Sequence, residues 1–376
     1  MTPKRGITLI GRFSDGDSIS KVCVDLIVKL KAAGIPCQTF DLNGNAPCFR
    51  KDISNLLTPS QDFRILKYDT VIGWFPSRIL DDIPIRRARI VFWEFESGLI
   101  EHDPTLNDGC EIIGMSDFNV NVYKTLFPNS VKIHKILYPF YFENCKLTPP
   151  AVLRKKYGIG EKDFAVFYNF SFNSSYHRKN PYGVLKAFAS AFQNTQNVKL
   201  IFKTCASEGH PDKVTELKQI ADTLGCANKC ISIPGFLSQE EIYSLANACD
   251  VYLSLHRGEG FGLGIAEAMS LGKPVVVTDY SGPKEFCTPE NSLAIPSKIV
   301  PTQEDQIDNM SYRFVKEWAD PDIDAAAQAL QSLYQSPELR TRLGSAAQAF
   351  IADHFSTDNF RKSVNAFLSD QTVETT

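Results

Sequence analysis

Two carboxylates, Glu259 and Glu267, stand eight positions apart in the run His256-Arg257-Gly258-Glu259-Gly260-Phe261-Gly262-Leu263-Gly264-Ile265-Ala266-Glu267-Ala268-Met269. Glycine at 258, 260, 262 and 264 removes Cβ atoms where backbone N–H groups must come close to a ligand. Ile265, Ala266, Ala268, Met269 and Leu271 recur at helical spacing, so a helix follows the loop. Its free N–H groups and the positive end of its dipole favour an anion such as a diphosphate. Glu267 falls about one turn inside that helix, where its carboxylate suits a pair of vicinal hydroxyls, as on a ribose. Glu259 lies in the loop, nearer the phosphate end, placed for hydroxyls of an attached sugar. Taken alone, the same residues also fit a plain strand–turn–helix unit with two solvated acids.

Cations are the second ingredient. Arg178 and Lys179 lie in a polar basic loop, Asn173 to Pro181, after a strand over Phe164 to Tyr168. Lys203 sits near the carboxyl end of another strand, Val198 to Thr204. Fixed there, such groups stabilise the charge that develops on a departing phosphate. Without the acids, Arg178-Lys179 fits a solvated loop pair equally well.

These groups need a frame. Val251 to Leu255 reads as the strand before the glycine loop, and Val275 to Val277 as the strand after its helix. Gly272 suits the position just past the helix end, and Pro274 prevents continuation. Ile231 to Phe236 reads as a further strand, Glu240 to Asn247 as a helix, and Pro181 to Phe188 as another. The first half alternates in the same way: strands at Ile7 to Ile10, Cys37 to Leu42, Tyr68 to Trp74, Arg89 to Glu96, Glu111 to Ser116 and Val131 to Leu137, with a helix carrying Val22, Val24, Leu26, Ile27 and Leu30. Such alternation predicts doubly wound parallel sheets. These sheets present ligands at strand carboxyl ends, which points Gly11 to Ser18, Trp74 to Ser77, Trp93 to Ser97 and Ser116 to Asn119 at one edge. Trp93-Glu94 pairs a ring face for sugar C–H groups with an acid for hydroxyls; a core tryptophan beside a solvated acid fits as well. Gly11 to Ser18 has Asp17 where a P-loop has lysine, and lacks the dinucleotide fingerprint of a dehydrogenase.

The prolines at Leu147 to Ala151 predict a linker with neither helix nor inner strand. Ser297 to Ser311 reads as a mobile polar loop. Helices follow at Asp322 to Tyr334, Leu339 to Phe355 and Asp358 to Leu368, then a disordered tail from Ser369 to Thr376.

A chain of 376 residues predicts two domains. Hydrophobic content of 43% and charged content of 22% are those of a globular protein. The net charge of −3 gives no global attraction to nucleic acid. No apolar run approaches the roughly 20 residues of a membrane span, and the N-terminus leads into a strand rather than a signal peptide. Ten cysteines without a paired framework suit a reducing cytoplasm. Cys226 and Cys230 lack a second Cys/His pair at zinc spacing, so no metal site is expected.

The pattern E-G-F-G-L-x-x-x-E-A-M-x-x-G-x-P-V-V, from Glu259 to Val276, resembles the donor-site motif of retaining GT-B glycosyltransferases, glycosyltransferase family 4. Trp93-Glu94 and Ser116-Asp117-Phe118 look like one subgroup of it. The resemblance implies an α/β GT-B fold: two Rossmann-like domains with doubly wound parallel sheets facing a cleft. Residues 1–148 would bind acceptor and 149–356 the nucleotide sugar, with 357–376 a terminal helix crossing back and a flexible tail. It implies transfer of a hexose from GDP-mannose or a UDP-sugar, with retention, to a hydroxyl of a glycan or lipid-linked saccharide in surface polysaccharide synthesis. Glu267, Gly260, Phe261, Gly262, Leu263, Gly235 and Phe236 would hold the donor. Glu259, Lys179, Lys203, Arg178 and Glu94 would carry the chemistry. No cofactor or metal is implied, because lysine, arginine and the helix N-terminus replace the ion. The implied location is the cytoplasm, with room for peripheral contact at the inner membrane face.

The chain departs from the family at three places. Asn180 follows Lys179 where glycine is usual, Asn169 and Ser171 stand where a basic residue often follows the first strand, and Glu94 stands where many members have histidine. Two other readings remain compatible: a sugar-nucleotide epimerase on the same fold, and a non-catalytic sugar-nucleotide-binding protein.

Overall fold

Apolar runs alternating with amphipathic stretches build two parallel sheets. The computed structural model describes residues 4–13, 18–42, 66–74, 83, 85–103, 106, 109–142 and 146–370. The loop Gly11 to Ser18 between residues 14 and 17, the segment after Trp74 to Ser77, and the tail beyond Asp370 lie outside the described residues.

The chain divides into two compact units. The first comprises Met1–Trp93, Leu99–Phe142 and His354–Thr376, the second Glu94–Gly98 and Glu143–Asp353. In the first unit the elements are β1 (Lys4–Gly11), α1 (Ser18–Ala32), β2 (Cys37–Asp41), β3 (Tyr68–Trp74), β4 (Arg86–Ile90), α2 (Leu99–His102), β5 (Glu111–Gly114), α3 (Asp117–Leu126) and β6 (Ile133–Lys135). The sheet order is β2-β1-β3-β4-β5-β6, all parallel. Val22, Val24, Leu26, Ile27 and Leu30 of α1 are buried, as their spacing predicts. Ser116 caps α3 by accepting from the Asn119 N–H at 3.1 Å, and Asn119 Nδ2 donates to the Trp93 carbonyl at 2.7 Å. The C-terminal helix, Thr357–Ser369, belongs to this unit and buries Phe360, Val364, Phe367 and Leu368. Arg86 donates to the Phe367 carbonyl at 2.9 Å and lies over its ring.

β4 corrects an expectation. The strand expected over Arg89 to Glu96 starts at Arg86 and stops at Ile90. Ile90 pairs with Trp74, the last residue of β3, and with Ile113 near the end of β5. Past it no strand among the described residues pairs with the apolar run, Val91 donates to the Ile113 carbonyl, and the chain leaves the sheet. The expected strand over Val131 to Leu137 likewise shortens to Ile133–Lys135.

The second unit runs α4 (Pro150–Lys156), β7 (Phe164–Ser171), α5 (Tyr176–Lys179), α6 (Pro181–Phe192), β8 (Val198–Cys205), α7 (Pro211–Thr223), β9 (Cys230–Ile233), α8 (Gln239–Ala248), β10 (Val251–Ser254), α9 (Leu263–Ser270), β11 (Val275–Thr278), β12 (Leu293–Ile295), β13 (Ser297–Pro301), β14 (Glu317–Pro321), α10 (Ile323–Gln335) and α11 (Pro337–His354). The six-stranded sheet has the order β12-β11-β10-β7-β8-β9. Its core joins Val166, Leu200, Leu253 and Val276 to Val184, Phe188, Leu330 and Leu343 of the flanking helices.

Three expectations change here. Pro150 begins a helix instead of excluding one, because the first helical position has no N–H to lose. The basic loop contains a single helical turn, α5. Ser297 to Ser311 opens with β13, which pairs antiparallel with β14, Ile299 opposite Ala319 and Val300 opposite Trp318. Ile299 and Val300 are too short an apolar pair to mark that strand, and most of it faces outward while the hairpin buries Trp318 and Ala319 of β14.

Gly344 of α11 fixes one helix crossing. A Cβ there would run into the Gly272 carbonyl, and Gly272 is held at a φ of +71°. Backbone on both sides cannot yield as a side chain can. Gly344→Ala is expected to cost about 1–3 kcal/mol of stability, read as a lower urea midpoint with an unchanged slope; an unaltered midpoint would show that the crossing relaxes freely.

Candidate active site

β7 and β10 are neighbours at the point where the strand order of the second sheet reverses, the position at which such sheets bind ligands. The loops leaving their carboxyl ends carry the charged residues. After β7 the chain enters α5, capped by Ser175, whose Oγ accepts from the Arg178 N–H. Asn180 ends that turn in the left-handed conformation, at φ 56° and ψ 51°. Asparagine tolerates this region better than most residues, so it can stand where glycine is usual. Its side chain accepts from the Gly183 N–H at 3.0 Å, starting α6, and donates to the Leu255 carbonyl at 2.8 Å. The Tyr168 hydroxyl donates to the Lys179 carbonyl at 2.6 Å, and the Arg257 N–H to the Arg178 carbonyl at 2.8 Å. The two loops are therefore bound to each other.

They bring three charges together, and Glu94, from a separate segment, lies beside them. Lys179 Nζ donates to Glu259 Oε1. Arg178 Nη1 lies 3.4 Å from the other oxygen of Glu259, and Nη2 lies 3.9 Å from Glu94. Arg178 also donates to the carbonyls of Gly258 (2.7 Å) and Ser174 (3.0 Å). Its side chain is 5% exposed, against 13% for Glu259, 17% for Glu94 and 20% for Lys179. Burial raises the Glu259 carboxyl, but Lys179 and then Arg178 outweigh it and hold the group down at about 2. Glu94 goes the other way: burial pushes it up, Arg178 opposes, and Glu259 adds to the rise. Burial lowers Lys179 despite Glu259. The result is one guanidinium shared by two carboxyls shifted in opposite directions.

His256 lies beneath the glycine loop, fully buried. Its Nε2 lies 3.3 Å from the Tyr280 carbonyl and its Nδ1 3.1 Å from Ser254 Oγ. Burial drives it down to about 4, against the pull of Glu259, so the ring is neutral at ordinary pH. The Glu259 N–H donates to Ser281 Oγ at 2.9 Å, which anchors the loop. Gly262, at φ +91°, turns the chain into α9. A Cβ on Gly264 would meet the Tyr252 hydroxyl at 2.6 Å and Asn169 Oδ1 at 3.0 Å, so glycine lets the start of α9 settle on β7 and β10. One turn on, Glu267 accepts from Gln239 Nε2 (3.0 Å) and the Tyr243 hydroxyl (3.3 Å), both on α8.

The family model described as glycosyl transferases group 1 matches residues 152–350, more than half of the chain. This chain belongs to that family. ORF378 of Acidianus filamentous virus 2, which carries a glycosyltransferase name, is 31% identical over 137 residues. That match covers 34% of this chain, and the chain spans about a third, 36%, of the curated viral relative. Among solved structures, the Anabaena protein HepE in complex with UDP and glucose aligns at a TM-score of 0.70 and 17% identity, over 98% of this chain and 100% of that one. A glycosyltransferase from Rickettsia africae aligns at 0.70 and 14% identity, over 99% and 100%. The sucrose-phosphate synthase of Thermosynechococcus elongatus aligns at 0.68 and 15% identity, over 98% and 99%. These likenesses give the fold class: α/β, of the GT-B type, with a six-stranded parallel sheet in each domain.

Within this group 1 glycosyltransferase, Glu94, Arg178, Lys179 and Glu259 form one cluster. Lys203 is placed differently. Its buried ammonium donates to the carbonyls of Gly235 and Thr204 and to Cys205 Sγ, which ties the turn after β9 to β8. Among the described residues it makes no ion pair. Gly235 sits in the left-handed region at φ +91°, and Phe236 is 79% exposed. The Phe261 ring packs on Phe286, leaving only its backbone for a ligand.

Tyr312, His256, Gln239, Tyr243 and Asp308 escaped the sequence reading. A histidine opening the motif was visible as a residue, but its burial was not. The others sit on elements whose contacts are long-range. Among the described residues no three His, Cys, Asp or Glu are grouped to hold a metal ion, and no helix is long and apolar enough to cross a membrane.

Proposed function

We propose that this group 1 glycosyltransferase moves a hexose from a nucleoside-diphosphate sugar to a hydroxyl of a glycan or lipid-linked saccharide, with retention at the anomeric carbon, as family 4 enzymes do, and in surface polysaccharide synthesis. The observation carrying the reading is the cluster of Arg178 and Lys179 from α5 with Glu259 from the loop that enters α9, with Glu267 inside that helix. The diphosphate would lie over the amides at the start of α9, facing Lys179 and Arg178. Glu267 would take the ribose hydroxyls, and Glu259 the hydroxyls of the sugar. As the glycosidic bond breaks, charge gathers on the outer phosphate, where fixed cations act most strongly. That oxygen could accept the acceptor's proton on the same face, giving retention without a separate base. Lysine, arginine and helix amides meet the diphosphate charge, so this scheme uses no metal ion. Gly235 and Phe236 border α8, whose Gln239 and Tyr243 orient Glu267, and so flank the nucleoside end. The UDP and glucose held by HepE favour a UDP-sugar among the donors to try first.

The test is incubation with UDP-glucose and with GDP-mannose, each with and without oligosaccharide acceptors, followed by NMR of the product's anomeric proton. Retained transfer is expected. An inverted product would overturn the mechanism, sugar interconversion without acceptor would select the epimerase, and binding without turnover would select a binding protein.

Donor affinity should fall as pH rises. The groups facing Glu94 are Arg178 and Lys179 from α5, Glu259 from the loop after β10, and the Tyr312 hydroxyl. A diphosphate adds negative charge beside them, so binding favours protonated Glu94, whose carboxyl burial already raises. Ionised Glu94 competes for Arg178 and weakens binding, approaching about tenfold per pH unit if one proton is linked. Calorimetric titration of UDP-glucose or GDP-mannose from about pH 5 to 8 reads this slope, and Glu94→Gln should flatten it. A slope that survives Glu94→Gln belongs to another group.

A further inference from the structure

We propose that Tyr312 is a positioning residue of the active site: its ring covers the Arg178 guanidinium while its hydroxyl holds the Glu94 carboxylate. The inference rests on the donor-site reading above and adds a residue to it.

Tyr312 comes from the turn between β13 and β14, a stretch with no motif. That turn grips the segments that carry the charged cluster. Asp308 accepts from the N–H groups of Tyr176 (2.6 Å) and His177 (3.3 Å) at the start of α5, the turn that carries Arg178 and Lys179. Asn309 Nδ2 lies 3.4 Å from the Asn173 carbonyl on the same loop. On the other side, the Lys316 N–H donates to Ser97 Oγ at 3.1 Å, and the Phe314 backbone leaves no room for a side chain at Gly98. The Phe95 and Tyr312 rings meet edge to face at 5.2 Å. Glu94–Gly98 is thereby held in the second unit, beside Arg178.

Within this frame Tyr312 touches both reacting-site charges. The Arg178 guanidinium carbon lies 5.6 Å from the ring centroid, within reach of a cation–π contact. In-plane, the same guanidinium is occupied by Gly258, Ser174 and Glu259. Glu94 is 3.9 Å from Arg178, too far for a hydrogen bond, whereas the Tyr312 hydroxyl does bond to it. Packing alone would be met by phenylalanine; the hydroxyl supplies a direction to the carboxylate. Burial pushes the phenol's pKa up and so suppresses its ionisation, and it stays a donor. A bond from a phenol to a carboxylate favours the ionised acid, so Tyr312 opposes the upward push of burial on Glu94.

Tyr312→Phe keeps the ring and removes the hydroxyl. Its Glu94 carboxyl signal, followed by 13C NMR of glutamate-labelled full chain and assigned with Glu94→Gln, should titrate at higher pH than in the parent. The kcat should fall roughly tenfold with the donor KM changed much less, the loss of one hydrogen bond to a charged group at the reacting end, and the thermal midpoint should stay near that of the parent. Tyr312→Leu, which also uncovers Arg178, should weaken donor binding as well; if it fails to fold, Tyr312→Phe still decides. An unmoved Glu94 titration in Tyr312→Phe overturns the assignment, as does equal loss of activity and thermal midpoint in that variant. The NMR titration does not depend on turnover. A parent protein inactive with UDP-glucose and GDP-mannose, but with a Tyr312-dependent Glu94 titration, would remove the transferase reading and leave the positioning role standing.

Discussion

Lys179→Ala should lower kcat by roughly 10²–10³-fold, the usual effect of removing one fixed group that meets developing charge. The ammonium is held by Glu259 at the mouth of the α9 loop, so it does not have to be recruited when the phosphate leaves. Donor KM should move far less, because on the proposed mechanism charge on the outer phosphate grows in the transition state and Arg178 would still face the ground-state diphosphate. Glu259 would keep Arg178 at 3.4 Å but lose its nearer partner. Its carboxyl, held at about 2 against burial by Lys179 first and Arg178 second, would therefore rise. A depressed carboxyl stabilises the fold above its unfolded pKa and loses that contribution as pH falls through its folded value. The variant should accordingly lose stability at a higher pH on acidification. Steady-state kinetics at saturating donor, with an acid melt alongside, checks both. A loss confined to KM would make Lys179 a ground-state binding group only.

Glu267→Ala should weaken nucleotide-sugar binding by roughly ten- to a hundredfold, equivalent to about 1.5–3 kcal/mol for a charged hydrogen-bond acceptor. Glu267 is 7% exposed and held by Gln239 and Tyr243, so it is fixed before any ribose arrives. Ligand binding then costs little in side-chain ordering, and the whole loss should appear in affinity. Removing the carboxylate also leaves the Tyr243 hydroxyl and the Gln239 amide without this acceptor, a moderate loss for a helix pair that otherwise packs through buried apolar residues. Calorimetry with UDP-glucose and GDP-mannose, beside a urea melt of the same preparation, separates the two. Unchanged affinity would take Glu267 out of the donor site, whatever the melt shows.

The contrast between Lys179 and Lys203 shows what spacing can carry. Both are lysines near a strand carboxyl end in the same unit, and the sequence offers no means of ranking them. Lys179 reaches Glu259 because α5 is a single turn pinned by Ser175 and Asn180. Lys203 lies in the strand itself, buried at the sheet, where an ammonium must find acceptors, and it takes the nearby carbonyls of Gly235 and Thr204. The same limit applies to Glu94. An apolar run ending in Trp93 reads as strand throughout, yet a strand lasts only as long as its neighbours, and β3 and β5 give out near Ile90.

What the sequence determined by itself is the local machinery. Periodicity of two and of 3.6 marks the strands and helices of both units, because these repeats follow from backbone geometry alone. Three glycines between Val251–Ser254 and α9, a fourth just inside that helix and Glu267 one turn along it mark a glycine loop and helix from covalent spacing, since all its parts lie within a few residues of one another. What only the tertiary structure decided is which distant charges meet. Glu94, Arg178, Glu259 and Tyr312 come from four separate segments, and their proximity depends on the strand order of the second sheet and on a hairpin whose strand β13 faces mostly outward. The ionisation of each group follows from that meeting, since burial drives a carboxyl up and a neighbouring cation draws it down; burial prevails at Glu94, whereas at Glu259 the bonded Lys179 ammonium and Arg178 prevail.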